Sequence, residues 1–200
     1  MPPFRRPRAF LAALAATGVM LQTGGSPARA EGVADPARTT QAAMRLFNQG
    51  CIRNLRQEAG LKEVLQAAGL RAAAADQATL HLGGRPGTLF VSNDPAVPVA
   101  VIVRPAAAQC EVRAPTTDIA LAEGEFRSMI GGLAGPRVMI RRDSEERSSA
   151  GGRPGITMVF SAGAPPLEEG GARFAMQARQ PVPGGIALSM TASGQPLDAR

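Results

Sequence analysis

The stretch Thr88–Arg113, TLFVSNDPAVPVAVIVRPAAAQCEVR, predicts three short β-strands in succession. Runs rich in β-branched and other apolar residues, separated by Pro, Asn and Asp, make up Thr88–Ser92, Val97–Val103 and Cys110–Arg113. Pro98 confines the middle strand to a start or an edge position, because proline has no amide to donate to a strand ladder. A further strand is expected just before them, at Thr79–Leu82.

An apolar stripe on the amino-terminal side of these strands predicts the first helix. Its members recur at intervals of three and four residues, the spacing of one helix face, and are Met44, Phe47, Cys51 and Leu55. Thr39 or Thr40 is expected to cap this helix, because a hydroxyl can accept a hydrogen bond from an amide of the first turn. Gly60 is expected to break the pattern before a second short helix that ends at Gly69. The alanine-rich stretch 71–78 would add a further helical turn.

The order of helix and strands recurs in the second half of the chain. Asp118–Leu133 has helical spacing, and the strands expected after it are Arg137–Arg141, Ile156–Phe160, Phe174–Ala178 and Ile186–Thr191. The charged stretch Arg142–Gly155 is expected to be a mobile loop or a long hairpin tip. The whole pattern predicts a single α+β domain over residues 39–200. It would contain an antiparallel sheet of about six to eight short strands with two or three helices packed on it.

The chain has two cysteines, Cys51 and Cys110. Cys51 lies on the apolar face of the first predicted helix, which favours a structural role. In an exported chain a single pair of cysteines is expected to form one disulfide. It would tie the first helix to the strand that carries Cys110. Two buried free thiols or one reactive thiol are the alternatives.

The first thirty residues have the three parts of a secretory signal peptide. A basic start, an apolar run and small residues follow one another as Arg5, Arg6 and Arg8, then Phe10–Leu21, then Ala28-Arg29-Ala30. Cleavage is predicted between Ala30 and Glu31, which leaves residues 31–38 as a flexible start of the mature chain. The apolar run is shorter than the about 20 residues that a membrane span needs, and the alternative is a short helix that stays attached. We therefore expect export by the general secretory pathway, to the periplasm or the medium.

The charge of the chain resides largely in this leader. The sequence has 22 basic and 16 acidic residues, and four of the basic ones precede residue 31, where no acid occurs. The mature chain is thus nearly neutral. Nucleic-acid binding needs clustered positive charge, and the densest mature segment, Arg137–Arg147, contains its own acids, so nucleic acid is not an expected partner. No later apolar run is long enough to act as a membrane anchor.

The residue types that usually carry out catalysis are scarce. His81 is the only histidine, and in the predicted Leu-His-Leu strand its side chain would face away from Leu80 and Leu82. One histidine and two paired cysteines do not make a metal site, and neighbouring glutamates do not supply opposed carboxylates for glycoside hydrolysis. We therefore expect no catalytic residue, no cofactor and no metal. The competing hypothesis is a small hydrolase that uses His81 with a serine and an aspartate.

The five residues GGRPG occur twice, at Gly83–Gly87 and Gly151–Gly155. Neither copy has the lysine of a Walker-type phosphate loop, and Pro86 and Pro154 each remove an amide that such a loop would use. Arg-Pro-Gly instead fits a type II turn, with glycine at positive φ. Whether the repeat marks an internal duplication stays open. The exposed arginines that could contact a small anionic ligand are Arg85, Arg153, Arg141 and Arg142.

Three features taken together resemble the small uncharacterised exported proteins of Gram-negative bacteria. They are the signal peptide, the helical Phe47-Asn-Gln-Gly-Cys51, and Ala108-Gln-Cys110-Glu-Val112 at the end of a strand. The resemblance covers about the first half of the mature chain and implies a periplasmic address without a particular activity. Unlike the lipid-anchored members, this chain has no cysteine at the cleavage point. We expect a soluble, non-enzymatic binding or accessory domain whose partner is another periplasmic or envelope protein.

Overall fold

The structure is a computed structural model that describes residues 34–55, 57–164 and 171–194. The expected signal peptide, with its cleavage point between Ala30 and Glu31, lies outside the described residues. Among the helices that are described, none combines the length and the apolar character needed to cross a membrane.

In the described residues eight strands form one antiparallel sheet, within the six to eight strands that the sequence predicted. The strands are β1 (Leu70–Ala72), β2 (Thr88–Ser92), β3 (Ala100–Arg104), β4 (Gln109–Ala114), β5 (Met139–Ser148), β6 (Gly155–Gly163), β7 (Ala172–Arg179) and β8 (Leu188–Gly194). Their order across the sheet is β1-β2-β3-β4-β8-β7-β6-β5. The helices are α1 (Pro36–Leu46), α2 (Glu58–Ala67), α3 (Ala75–Leu82) and α4 (Ile119–Gly131), and α1 continues as a π-helical segment, Phe47–Ile52. The α+β class is confirmed.

The sheet consists of two four-stranded meanders joined edge to edge. The first contains β1 to β4 and follows α1 and α2, while the second contains β5 to β8 and follows α4. They meet where β4 pairs antiparallel with β8, for example at Val112 and Met190. Each GGRPG segment leads into the second strand of its own meander, β2 or β6. The two copies therefore occupy equivalent positions in the two meanders.

The two GGRPG segments turn the chain into a strand as expected, but the predicted turn type is wrong. The first two glycines of each copy take the left-handed conformation, with φ of 57° at Gly83, 74° at Gly84, 63° at Gly151 and 74° at Gly152. Gly87 has a φ of 159°, and Gly155 is already the first residue of β6. The Gly-Gly pair therefore makes the turn, because only glycine takes positive φ without steric cost, and Arg-Pro-Gly forms the approach to the strand.

The start of α1 differs from the expectation. Asp35, not Thr39 or Thr40, is the N-cap: its Oδ1 accepts hydrogen bonds from the backbone nitrogens of Ala37 and Arg38 at 2.9 and 3.3 Å. Pro36 follows at the first helical position, where no amide is needed. The helix thus begins inside the segment 31–38 that was expected to be flexible. Both threonines are buried within α1.

The segment Thr79–Leu82, predicted as a strand, is the last turn of α3. The alanine-rich residues before it have high helix propensity. Ala78 and Leu82, four residues apart, pack on Leu89 and Ile102 of the sheet. Gly83 then ends the helix with its left-handed conformation. This packing against the sheet outweighs the alternation of Leu-His-Leu.

Other segments also differ from the expectation. Leu70–Ala72 forms β1, although the alanine-rich stretch from residue 71 was expected to be helical. Gly60 lies inside α2 rather than before it. The charged stretch after residue 141, predicted as a loop, continues β5 to Ser148 with one irregularity between Arg142 and Ser144. Because β5 is an edge strand, its charged side chains stay accessible to water. Arg127 of α4 also binds one of them, Glu145, at 2.6 Å.

The core lies between the sheet and the layer of α1 and α4. Phe126 of α4 is fully buried at its centre, with its ring centroid 6.0 Å from those of Phe47 and Phe160. The predicted disulfide between Cys51 and Cys110 is confirmed, with the two Cα atoms 5.3 Å apart. It joins the π-helical segment to β4, as expected.

Candidate binding face of the sheet

The face of the sheet opposite α1 and α4 is the candidate binding surface. Even-numbered residues of β4, β6, β7 and β8 point into the core, from Cys110 to Ala192. The odd-numbered ones therefore project from the other face. We call these side chains, within 109–113, 157–161, 173–179 and 189–193, the open face. Among the described helices, α3 packs on this side of the sheet, and it does so over β2 and β3.

Hydroxyl, amide and guanidinium groups dominate the open face. The hydroxyls belong to Thr157, Ser161, Ser189, Thr191 and Ser193, the amides to Gln109 and Gln177, and the guanidinium groups to Arg113, Arg173 and Arg179. Arg173 and Gln177 are exposed. Neither side chain forms a hydrogen bond or a salt bridge with a described residue, although the charge of Arg173 contributes to lowering the pKa of the Asp143 carboxyl. The face thus presents donors that the fold itself does not use.

One cross-strand row places three arginines along the same end of the sheet. Successive partners in register are Arg104, Gln109, Ser193, Arg173, Ser161 and Arg141. Because neighbouring strands lie about 4.8 Å apart, the backbones of Arg104 and Arg173, three strands from each other, are about 14 Å apart. We call this set the arginine row.

Glu111 is held beside the arginine row by several donors. Arg113 donates from Nε to Oε1 at 2.6 Å and from Nη2 to Oε2 at 3.0 Å, and Ser189 donates to Oε1 at 3.1 Å. Burial alone would raise the pKa of Glu111, but the hydrogen bond and charge of Arg113, the Ser189 hydroxyl and the charge of Arg104 together lower it. Glu111 is therefore ionised at neutral pH.

Arg104 is the most deeply buried charged side chain of this group, with only 5% of its surface exposed. Its Nη1 lies 3.5 Å from Oε1 of Gln109 and 3.6 Å from Oε2 of Glu111. Its Nε and Nη2 are buried and have no hydrogen-bond partner within the described residues. Among the described residues, the only other buried side-chain nitrogen or oxygen atom without a hydrogen-bond partner is Oγ1 of Thr39.

The structure separates the arginines that the sequence analysis selected. Arg85 and Arg153 are both exposed and precede β2 and β6. Five antiparallel pairings separate these two strands, so the strands run in opposite directions and the two arginines lie at opposite ends of the sheet. They cannot contact one small ligand together.

The neighbouring pair Arg141-Arg142 is already engaged with carboxylates. Nε of Arg141 lies 2.9 Å from Oδ1 of Asp143, and Nη1 of Arg142 lies 2.8 Å from Oε2 of Glu145. An anion at this pair would have to compete with both carboxylates. Arg141 nevertheless belongs to the arginine row, which the sequence analysis did not identify.

His81 lies at the end of α3 and is exposed. Its backbone carbonyl accepts a hydrogen bond from Nη1 of Arg113 at 3.5 Å. No serine hydroxyl or carboxylate of the described chain is hydrogen-bonded to its imidazole, so the set that the hydrolase hypothesis requires does not form there. His81 instead borders an apolar cavity of about 330 Å³, together with Val91, Ala100 and Ile186. The described residues also contain no group of three His, Cys, Asp or Glu side chains able to hold a metal ion.

Arg104, Glu111 and Arg113 were not among the site residues predicted from the sequence. A usable signal was present, because the polar residues Gln109, Glu111 and Arg113 alternate with Cys110 and Val112. Such alternation indicates a strand with one apolar and one polar face. The pattern does not indicate that Glu111 on this polar face is buried.

Comparison of the chain with protein-family models, with curated proteins and with solved structures finds no match.

Proposed function

We propose that this is an exported protein that acts by binding, not by catalysis. The confirmed disulfide supports export, because disulfides form and persist in oxidising compartments such as the periplasm. The predicted signal peptide at residues 1–30 also supports export. The general secretory pathway is the proposed route.

Processing of the leader tests this address. Expressed in a Gram-negative host with a carboxyl-terminal tag, the protein should occur in the periplasmic fraction with a mass that begins at Glu31. Leu14→Arg, which interrupts the apolar run with a charge, should leave the chain unprocessed. An unprocessed wild-type chain that remains in the cytoplasm would refute export.

The partner that we propose is an envelope protein that docks on the open face. The observation that supports this surface most directly is that the side chains of Arg173 and Gln177 are exposed on β7 and form no hydrogen bond or salt bridge with a described residue. Arginine is among the residues that contribute most at protein interfaces. The open face carries Arg113, Arg173 and Arg179 against Glu111 and against Asp143 of β5, which accepts a hydrogen bond from Ser161. This excess of arginine favours a partner with an acidic contact surface.

Site-specific crosslinking tests this docking surface. A photo-reactive amino acid at Gln177 should yield one defined adduct in intact cells, whereas the same group at Gln66, exposed on α2, should yield none. The purified partner should then bind Arg173→Glu about tenfold more weakly than wild type, a loss of about 1.4 kcal/mol. Arg53→Glu, on the helix side, should bind as wild type does. Equal adducts at both positions, or equal affinity of both charge variants, would contradict the proposal.

A further inference from the structure

We propose that Arg104 is the centre of an oxyanion site, which takes a carboxylate or a phosphate group. The site does not depend on the protein partner proposed above, because it is formed by groups at one end of the sheet and concerns a small ligand. It also differs from the exposed arginines that the sequence singled out. The observation behind it is that Nε and Nη2 of the buried Arg104 guanidinium have no hydrogen-bond partner.

The unpartnered atoms of Arg104 are the two donors along one edge of the guanidinium. The same edge of Arg113 holds Glu111, with Nε on Oε1 and Nη2 on Oε2. Arg127 also turns its Nε and Nη2 toward a carboxylate, that of Glu123. Carboxylates and phosphates accept two parallel hydrogen bonds from this edge. In Arg104 the edge is buried and unused.

Burying Nε and Nη2 of Arg104 without an acceptor is unfavourable for the fold. A buried donor that has lost water without gaining a partner destabilises a protein, and a charged donor does so more strongly. Glu111 does not relieve this cost, since Arg113 and Ser189 already occupy its oxygens and only Nη1 of Arg104 approaches it. A bound oxyanion would satisfy both remaining donors of Arg104.

The neighbours of Arg104 in the arginine row suit an anion. Gln109 directs its carbonyl oxygen to Nη1 of Arg104, so its amide group remains available as a donor. Ser193 follows in register, and Arg173 after it. The nearest carboxylate, Glu111, is neutralised by Arg113. The surroundings of Nε and Nη2 are therefore rich in donors. In the arginine row itself, Arg104, Arg141 and Arg173 outnumber Asp143, the carboxylate that Arg141 binds.

Gly87, the last residue of the first GGRPG segment, lies against the side-chain stem of Arg104. A Cβ added at Gly87 would be 3.1 Å from Cγ of Arg104 and 2.8 Å from the backbone oxygen of Val103, so glycine permits the close cover. Leu82 is the only residue of the adjoining α3 that is buried. Because Nε and Nη2 of Arg104 are buried, an anion would reach them only after a local displacement of the chain.

Nuclear magnetic resonance of the arginine side chains in the purified whole chain tests the site. Sodium phosphate and sodium succinate are titrated separately against sodium chloride of equal ionic strength. We expect the Nε–H resonance of Arg104 to shift saturably with at least one of the two oxyanions, and that of Arg53 not to shift. The anion that acts distinguishes a phosphate from a carboxylate ligand.

Substitutions of individual arginines test whether the anion binds at Arg104. Arg104→Met should abolish the saturable rise in Tm that the active anion produces, and Arg173→Gln should weaken it about tenfold in affinity. Arg53→Gln should behave as wild type. If Arg104→Met does not fold, Arg104→Lys keeps the charge, lacks the two-donor edge and should also lose binding. An Arg104 resonance that moves no more in phosphate and succinate than in chloride overturns the proposal, and so does an equal shift at Arg53.

Discussion

The double substitution Cys51→Ala/Cys110→Ala should lower the free energy of unfolding by about 4 kcal/mol. The disulfide joins residues separated by 59 positions, and a cross-link of that span restricts the unfolded chain by about this amount on the chain-entropy model. Both cysteines are buried, so alanine leaves a small cavity in addition. Urea unfolding, followed by circular dichroism, measures the change.

Reduction provides the matched control for this prediction. A reducing agent should shift the unfolding midpoint of the wild type close to that of the variant and should leave the variant itself unchanged. An equal midpoint for the oxidised wild type and the variant would contradict the stabilising role of the disulfide. The π-helical segment carries Cys51, so we also expect faster amide exchange there when the bond is absent.

Phe126→Ala should also lower the free energy of unfolding by about 4 kcal/mol, because truncating a fully buried phenylalanine loses apolar burial and leaves a cavity. Phe126 is completely buried in α4 and lies between Phe47 and Phe160, with 6.0 Å between ring centroids in each pair. It links the helix layer to the second meander, since Phe47 begins the π-helical segment after α1 and Phe160 belongs to β6.

Ser128→Ala is the matched control for this second prediction. It lies in the same helix, is exposed and should change the free energy of unfolding by less than about 0.5 kcal/mol. Chemical unfolding of both variants gives the comparison. A loss below about 1 kcal/mol for Phe126→Ala would mean that the aromatic cluster is not the centre of the core.

Several elements were predictable because their signals are local. β2 matches its prediction residue for residue, since β-branched and aromatic residues fill Thr88–Ser92 between a glycine turn and an Asn-Asp turn. α4 begins after Asp118, whose Oδ1 accepts a hydrogen bond from the nitrogen of Leu121 at 3.0 Å. The disulfide was predictable because only one pairing of two cysteines exists.

Other elements depend on contacts that are distant in sequence. α3 is a helix because Leu82 packs on Leu89 and Ile102, and this packing is not encoded in the four residues Thr79–Leu82 alone. Likewise β5 extends to Ser148 because β6 provides a partner for its backbone along its whole length. Without that partner, the charged residues from 142 onward resemble a loop.

The sequence by itself determined the α+β class, the antiparallel sheet and the covalent link between the first helix and β4, because periodicity, turn residues and a single cysteine pair are local or unambiguous. The arginine row was decided by the tertiary structure alone. It exists because β4 pairs with β8 in one particular register, which aligns Gln109 with Ser193 and so brings Arg104 and Arg173 onto one line. Register is set by burying one whole face of each strand against the helices, and no short stretch of sequence specifies it.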